Sequence, residues 1–251
     1  MISQSLEIDV AGSPMPAYLA RPDDPAPRPA VIVLQEIFGV NTEVKRITDL
    51  VAGAGYVGLA INYYHRTHPY LNEPYTPEGL QTGFKAAGAV TKATLRADVA
   101  AAVDWLNSQD FVEFNHIATW GFCFGGTTAF VTATLPGLSA AVAFYGGNIA
   151  VPLPGGEPAP IGDAAEIRAP LLLVFGGKDD YITADHIEQI RAALTAAHKH
   201  FEIQVYPDQG HAFFRDSGAQ LDPSNRADAT TPRDVADAWD RVQAFLGEHL
   251  R

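Results

Sequence analysis

Six short stretches of the chain are almost continuously apolar: Pro29 to Glu36, Tyr56 to Tyr64, His116 to Phe122, Ser139 to Gly147, Pro170 to Gly177 and Phe201 to Pro207. Runs of this length with no polar alternation suit strands covered on both faces of a sheet. Helical periods lie between them. Val44, Ile47 and Val51 fall on one face, Leu95, Val99, Val103 and Leu106 on another, and Val235, Trp239, Val242 and Leu246 on a third near the end of the chain. Strands alternating with amphipathic helices predict an α/β architecture, a mostly parallel doubly wound sheet flanked by helices. The opening segments SLEIDV and PAYLARP read as an antiparallel hairpin at the sheet edge. Two segments carry little regular signal, Thr67 to Ala89 and Val151 to Ala169. Both are rich in proline or glycine and read as loops over a site.

The chain has 251 residues, which fits one domain, and 47% hydrophobic content supplies a core without a metal or disulfide staple. Its net charge of −12 removes the positive footprint that non-specific nucleic-acid binding needs. It also means that an anionic substrate needs local arginines to offset a repulsive field. One cysteine cannot form an internal disulfide, the N-terminus lacks the pattern of a signal peptide, and no apolar run reaches the ~20 residues of a membrane span. The expectation is a cytoplasmic protein that takes a small-molecule partner rather than a membrane or nucleic acid. Its oligomeric state is not encoded in any pattern found.

The single cysteine decides the chemistry. Cys123 stands in Gly121-Phe122-Cys123-Phe124-Gly125, between an expected strand and an expected helix. This is G-x-C-x-G, the nucleophile elbow with cysteine in the place of serine. A turn this tight excludes side chains at the flanking glycines. It also leaves the Phe124 amide at a helix N-terminus, where it can stabilise an oxyanion. The alternative is a buried structural cysteine. Two later motifs weigh against it. Asp179 and Asp180 follow the fifth apolar run, and His211 follows the sixth, so the order is nucleophile, acid, histidine. Asp179 is preferred over Asp180 because it completes G-x-x-D from Gly176. GAGYVG (Gly53 to Gly58) matches a dinucleotide fingerprint but opens a strand rather than a helix, so no nucleotide is expected. His65, His68 and the HKH at 198–200 lack the converging ligands of a metal site and read as surface or capping residues. Asp98 and Asp104 read as part of a solvated helix face. No metal and no cofactor is expected.

With these residues in view, the chain resembles the dienelactone hydrolase (carboxymethylenebutenolidase) family over almost its whole length. The motifs that carry the resemblance are QEIFGVN (35–41), GFCFGG (121–126), FGGKDDYI (175–182) and GHAFFR (210–215). The resemblance implies an α/β-hydrolase fold and a triad of Cys123, Asp179 and His211, with Glu36 as a fourth participant beside the cysteine. It further implies an oxyanion hole from the amides of Ile37 and Phe124, Arg66 and Arg215 on the substrate carboxylate, and Tyr145 lining the site. The implied reaction opens a dienelactone or related anionic enol-lactone to maleylacetate through a cysteine acyl-enzyme. Glu36 is expected to hold Cys123 as a resting thiol until substrate arrives. The chain departs from the family at INYY (61–64), where PDLY is usual, and from His65 to Gly88. Two other readings are a general carboxylesterase or thioesterase of the same fold and a carboxylate-binding protein without catalysis.

Overall fold

The computed structural model describes residues 1–217 and 233–250. Strands β1 (Ile2–Val10), β2 (Ser13–Arg21), β3 (Arg28–Leu34), β4 (Val57–Ile61), β5 (Val112–Phe122), β6 (Ala140–Phe144), β7 (Leu171–Gly176) and β8 (Phe201–Tyr206) form a single sheet. Its order is β1-β2-β4-β3-β5-β6-β7-β8. The β1–β2 hairpin is antiparallel and joins β4 antiparallel, and every pairing from β4 to β8 is parallel. The six apolar runs are therefore the six parallel strands. Those between the edges are buried along their length, as runs without polar alternation require.

Helices α1 (Thr42–Gly53), α2 (Pro77–Ala87), α3 (Lys92–Asn107), α4 (Phe124–Thr132), α5 (Ala184–Ala196), α6 (Phe213–Ser217) and α7 (Arg233–His249) complete the fold. The expected faces of α1, α3 and α7 are the buried ones. Helix α2 corrects the expectation of a loop from Thr67 to Ala89. Thr76 caps it by accepting a hydrogen bond from the Gly79 amide, and Pro77 fills the first turn, where its missing N–H costs nothing. Its buried residues are Gly79, Gly83, Ala86 and Ala87. A face of small residues has no hydrophobic period to read, and the close approach it permits is the reason for it.

The second expected loop, 151–169, contains a 3-10 turn at Pro160–Glu166. Asp163 in that turn pairs with Lys92 Nζ at 2.9 Å and Arg96 Nη2 at 2.7 Å, so the loop is fastened to α3.

Asp98 also departs from expectation. It is fully buried, not solvated, and accepts a bidentate pair from Arg66 at 2.7 and 2.9 Å. His65 is buried too, with Nε2 3.1 Å from Asp98 Oδ1 and Nδ1 2.9 Å from Ser13 Oγ. A buried carboxylate needs such partners. This cluster ties the segment after β4 to α3 and β2. Asn62, where the family motif has aspartate, closes the same turn through the His68 and Pro69 carbonyls and the Tyr64 amide.

Candidate active site

The parallel strands all point their C-terminal ends at one rim, where sites form in open α/β sheets. Cys123 sits there between β5 and α4, at φ 53° and ψ −117°. A non-glycine residue holds this conformation only when its surroundings impose it. The glycines show how. A Cβ on Gly121 would collide with the Gly125 carbonyl, and one on Gly125 with the Leu34 carbonyl. The elbow is pressed against both α4 and the end of β3. Tyr145 and Ala212, which flank the same rim, also have positive φ, at 39° and 58°.

Cys123 Sγ lies 3.2 Å from His211 Nε2, and His211 Nδ1 lies 2.8 Å from Asp179 Oδ2. The other oxygen of Asp179 accepts the Tyr181 and Ile182 amides at 2.8 and 3.1 Å. Those two hydrogen bonds from the backbone fix the carboxylate, so Oδ2 faces the imidazole. Asp180 is exposed and has no part in this chain of contacts. Burial pushes the imidazole toward the neutral form, but its hydrogen bonds to Asp179 and Cys123 outweigh burial and lift its pKa to about 10.

The His211 ring packs against those of Tyr145 and Tyr181 at 5.4 and 5.2 Å. Three residues on, Phe214 anchors the segment, fully buried among Trp120, Phe122 and Phe144 at ring distances of 5.5, 5.9 and 5.2 Å. The sequence reading did not single out Phe214. Its signal was available in the paired aromatics of GHAFFR.

Ile37 and Phe124 line the same cavity as Cys123, a hollow of about 370 Å³. Among the described residues neither amide donates a backbone hydrogen bond to another carbonyl. Tyr63 donates to the Gln35 carbonyl and so pins the peptide just before Glu36.

Three expectations need correction or refinement. Arg66 does not line this cavity. Its guanidinium is spent on Asp98, where it neutralises a buried charge. Tyr145 lies behind the cavity rather than on it. It is fully buried, its ring is 5.4 Å from that of His211, and its hydroxyl has no hydrogen-bond partner among the described residues. Glu36 does line the cavity, but the sulfur's hydrogen-bond partner is His211, not Glu36. Glu36 Oε2 instead faces Arg215 Nη1 at 4.0 Å. Burial raises the Glu36 pKa above the ordinary carboxylate range, while Arg215 and a hydrogen bond from Tyr75 pull it back. Arg215 lies 4.1 Å from the centre of the Tyr75 ring, and Tyr75 meets Phe38 edge-on at 4.6 Å. Tyr75 is a further site residue that the sequence reading passed over.

A more open cavity of about 470 Å³ beside β1 and β2 contains none of these groups. Among the described residues no cluster of three or more His, Cys, Asp or Glu could hold a metal, and no helix is long and apolar enough to cross a membrane.

Comparison with known proteins identifies the family. The family model for the dienelactone hydrolase family matches residues 15–250. A Synechocystis sp. protein provisionally named carboxymethylenebutenolidase is 36% identical, over 93% of this chain and 92% of its own. An Escherichia coli (strain K12) protein with the same provisional name is 34% identical, over 95% of this chain and 84% of its own. A crystal structure of a provisionally named dienelactone hydrolase from Klebsiella pneumoniae superposes with a TM-score of 0.84 at 32% identity, covering 98% of each chain. A structure described as a dienelactone hydrolase-like promiscuous phosphotriesterase shares the fold, with a TM-score of 0.77 at 23% identity. With its matched length, its mostly parallel sheet and its elbow, this chain belongs to the dienelactone hydrolase family and has the α/β-hydrolase fold.

Proposed function

We propose that the protein hydrolyses an enol-lactone or activated ester carrying a carboxylate, with conversion of a dienelactone to maleylacetate as the leading case, through an acyl-enzyme on Cys123. The observation that carries this reading is the continuous chain from Asp179 through His211 to Cys123, beside two backbone amides that have no backbone acceptor among the described residues. A nucleophile, a base, an orienting acid and an oxyanion hole are the parts acyl transfer requires.

The proton of the Cys123 thiol passes to His211, whose protonated form is favoured by its hydrogen bonds to Asp179 and to the sulfur. The thiolate adds to the lactone carbonyl, and the resulting oxyanion is held by the Ile37 and Phe124 amides. Collapse of the tetrahedral adduct breaks the ring C–O bond and releases an enolate, which conjugation stabilises. Once the sulfur carries an acyl group, His211 loses its negative neighbour and can surrender its proton to the leaving oxygen. Neutral His211 then takes a proton from water, hydroxide adds to the thioester, and the thiolate leaves. Asp179 keeps the imidazole in the tautomer that presents Nε2 to the reacting atoms.

This scheme replaces a resting Cys123–Glu36 hydrogen bond with the Cys123–His211 hydrogen bond. Glu36 acts instead on Arg215, which it shares with the substrate carboxylate. Arg66, occupied by Asp98, has no part in binding.

Arg215→Ala tests the reading. Kinetics on a dienelactone and on neutral p-nitrophenyl acetate are compared. Loss of a hydrogen bond to a charged group costs about 1.5–3 kcal/mol, so KM for the lactone rises roughly 10- to 150-fold while the neutral ester changes little. Arg66→Ala leaves the ratio between the two substrates unaltered. Equal losses on both substrates in Arg215→Ala, or no turnover of the lactone by the wild type, contradict the proposal.

A further inference from the structure

The charged groups of the cavity, Glu36, His211 and Arg215, are only part of its wall. The rest is apolar: Leu80 and Phe84 from α2, and Val151 and Pro154 from the loop that Asp163 fastens to α3. Leu80 and Phe84 are four residues apart and so share one helix face. Asn148 also borders the cavity, but its side-chain amide donates to the Pro152 carbonyl at 2.7 Å. That bond ties the side chain to the loop.

The apolar wall has a definite orientation relative to the reacting carbon. Helix α2 rests on Ile37 through Gly83: a Cβ placed there would be 2.6 Å from the Ile37 carbonyl oxygen and 3.0 Å from its Cγ1. Leu80 and Phe84 flank that contact, on the side of the oxyanion-hole residue. The leaving oxygen must lie toward His211, which supplies its proton, and Tyr181 stands beside His211 at a ring distance of 5.2 Å. The acyl portion of the substrate is left facing α2.

We propose that Leu80 and Phe84, backed by Val151 and Pro154, form an acyl pocket, and that the enzyme selects esters and lactones with an apolar substituent on the acyl side. This rests on the cysteine-hydrolase reading and adds the substrate class. An uncharged wall offers no hydrogen bond to a polar acyl group, and about 370 Å³ leaves room beside a small lactone for a larger acyl substituent. Phe84 is 50% exposed, with its aromatic ring at the rim of this cavity. A half-exposed ring at the cavity rim fits a pocket completed by substrate.

The test is a series of p-nitrophenyl esters from acetate to hexanoate, with the wild type, Leu80→Asn and Phe84→Asn. Each enzyme's kcat/KM is divided by its own value on the acetate, so a general loss of active protein cancels. Partial to full burial of a methylene gives about two- to fourfold per added carbon. The wild-type ratio for hexanoate over acetate is then roughly 15- to 250-fold, and each asparagine variant brings it toward unity. A flat wild-type series, or a rise that both variants retain, overturns the acyl pocket while leaving the hydrolase reading intact. A protein inert on every ester and on the lactone removes the hydrolase reading and the pocket with it.

Discussion

Gly83→Ala is expected to damage catalysis without damaging the fold, because α2 packs through this glycine onto the backbone of Ile37. The added Cβ would lie 2.6 Å from the Ile37 oxygen, where real contacts stay above 3.0 Å. A movement of at least about 0.4 Å must therefore be absorbed, and the nearest atom is a backbone oxygen, which has no rotamer to relax into. Ile37 supplies one of the two proposed oxyanion donors. Loss of such a donor costs about 10²- to 10³-fold in kcat, and a 1 Å misplacement near the chemistry about 10²-fold. Scaled to 0.4 Å, kcat falls roughly five- to tenfold. KM for a short neutral ester changes little, since the ground-state carbonyl relies on the hole less than the oxyanion does. Alanine is the better helix former by up to ~1 kcal/mol, which offsets part of the packing cost. The assay is steady-state kinetics on p-nitrophenyl acetate, with active sites counted by thiol titration and folding followed by thermal melting. A wild-type kcat per active site refutes the reasoning. So does a loss that tracks the unfolded fraction, because the contact would then be a packing contact and no more.

The two aspartates of KDDY separate cleanly. Asp179→Asn removes the acceptor that orients His211 Nδ1 and lowers kcat by about 10⁴-fold, as the same change does in other triads, whereas Asp180→Asn, at an exposed position, stays near wild type; steady-state rates on one ester decide it. The pH dependence of stability follows from the raised pKa of His211. A group whose folded pKa exceeds its unfolded value of ~6.5 contributes its full stabilisation below that value and loses it as pH rises through about 10. The denaturation midpoint of the wild type, relative to His211→Gln, is therefore expected to decline across that window; a constant difference between pH 6 and 11 contradicts the hydrogen-bonded imidazolium.

The parallel strands were legible because burial on both faces leaves an unmistakable apolar run, as at Val31–Leu34 and Leu171–Phe175. The elbow and the order Cys123, Asp179, His211 were legible because they depend on local turn chemistry at strand ends. Other features depend on what meets across the fold. Helix α2 escaped notice because its buried face is glycine and alanine, chosen for close approach to Ile37 rather than for hydrophobic area. Asp98 looked like one acidic residue on a helix surface, and only the placement of the segment after β4 brings His65 and Arg66 to it. That same placement takes Arg66 away from the cavity. Glu36 was readable as a site residue, but its facing partner Arg215 lies far along the chain, and Tyr75 joins them only because α2 and the turn before it fold over the rim. Pairings of this kind leave no local pattern.

The central claim is that Cys123 carries the acyl group during turnover. Rapid acid quenching during hydrolysis of a p-nitrophenyl ester, followed by mass spectrometry of the intact chain and its peptides, tests it most directly. The account predicts a mass increase equal to one acyl group in place of one hydrogen, confined to the peptide containing Cys123, and absent in a Cys123→Ala variant that no longer turns over. Turnover that persists in Cys123→Ala, or an acyl group found on another residue, contradicts it.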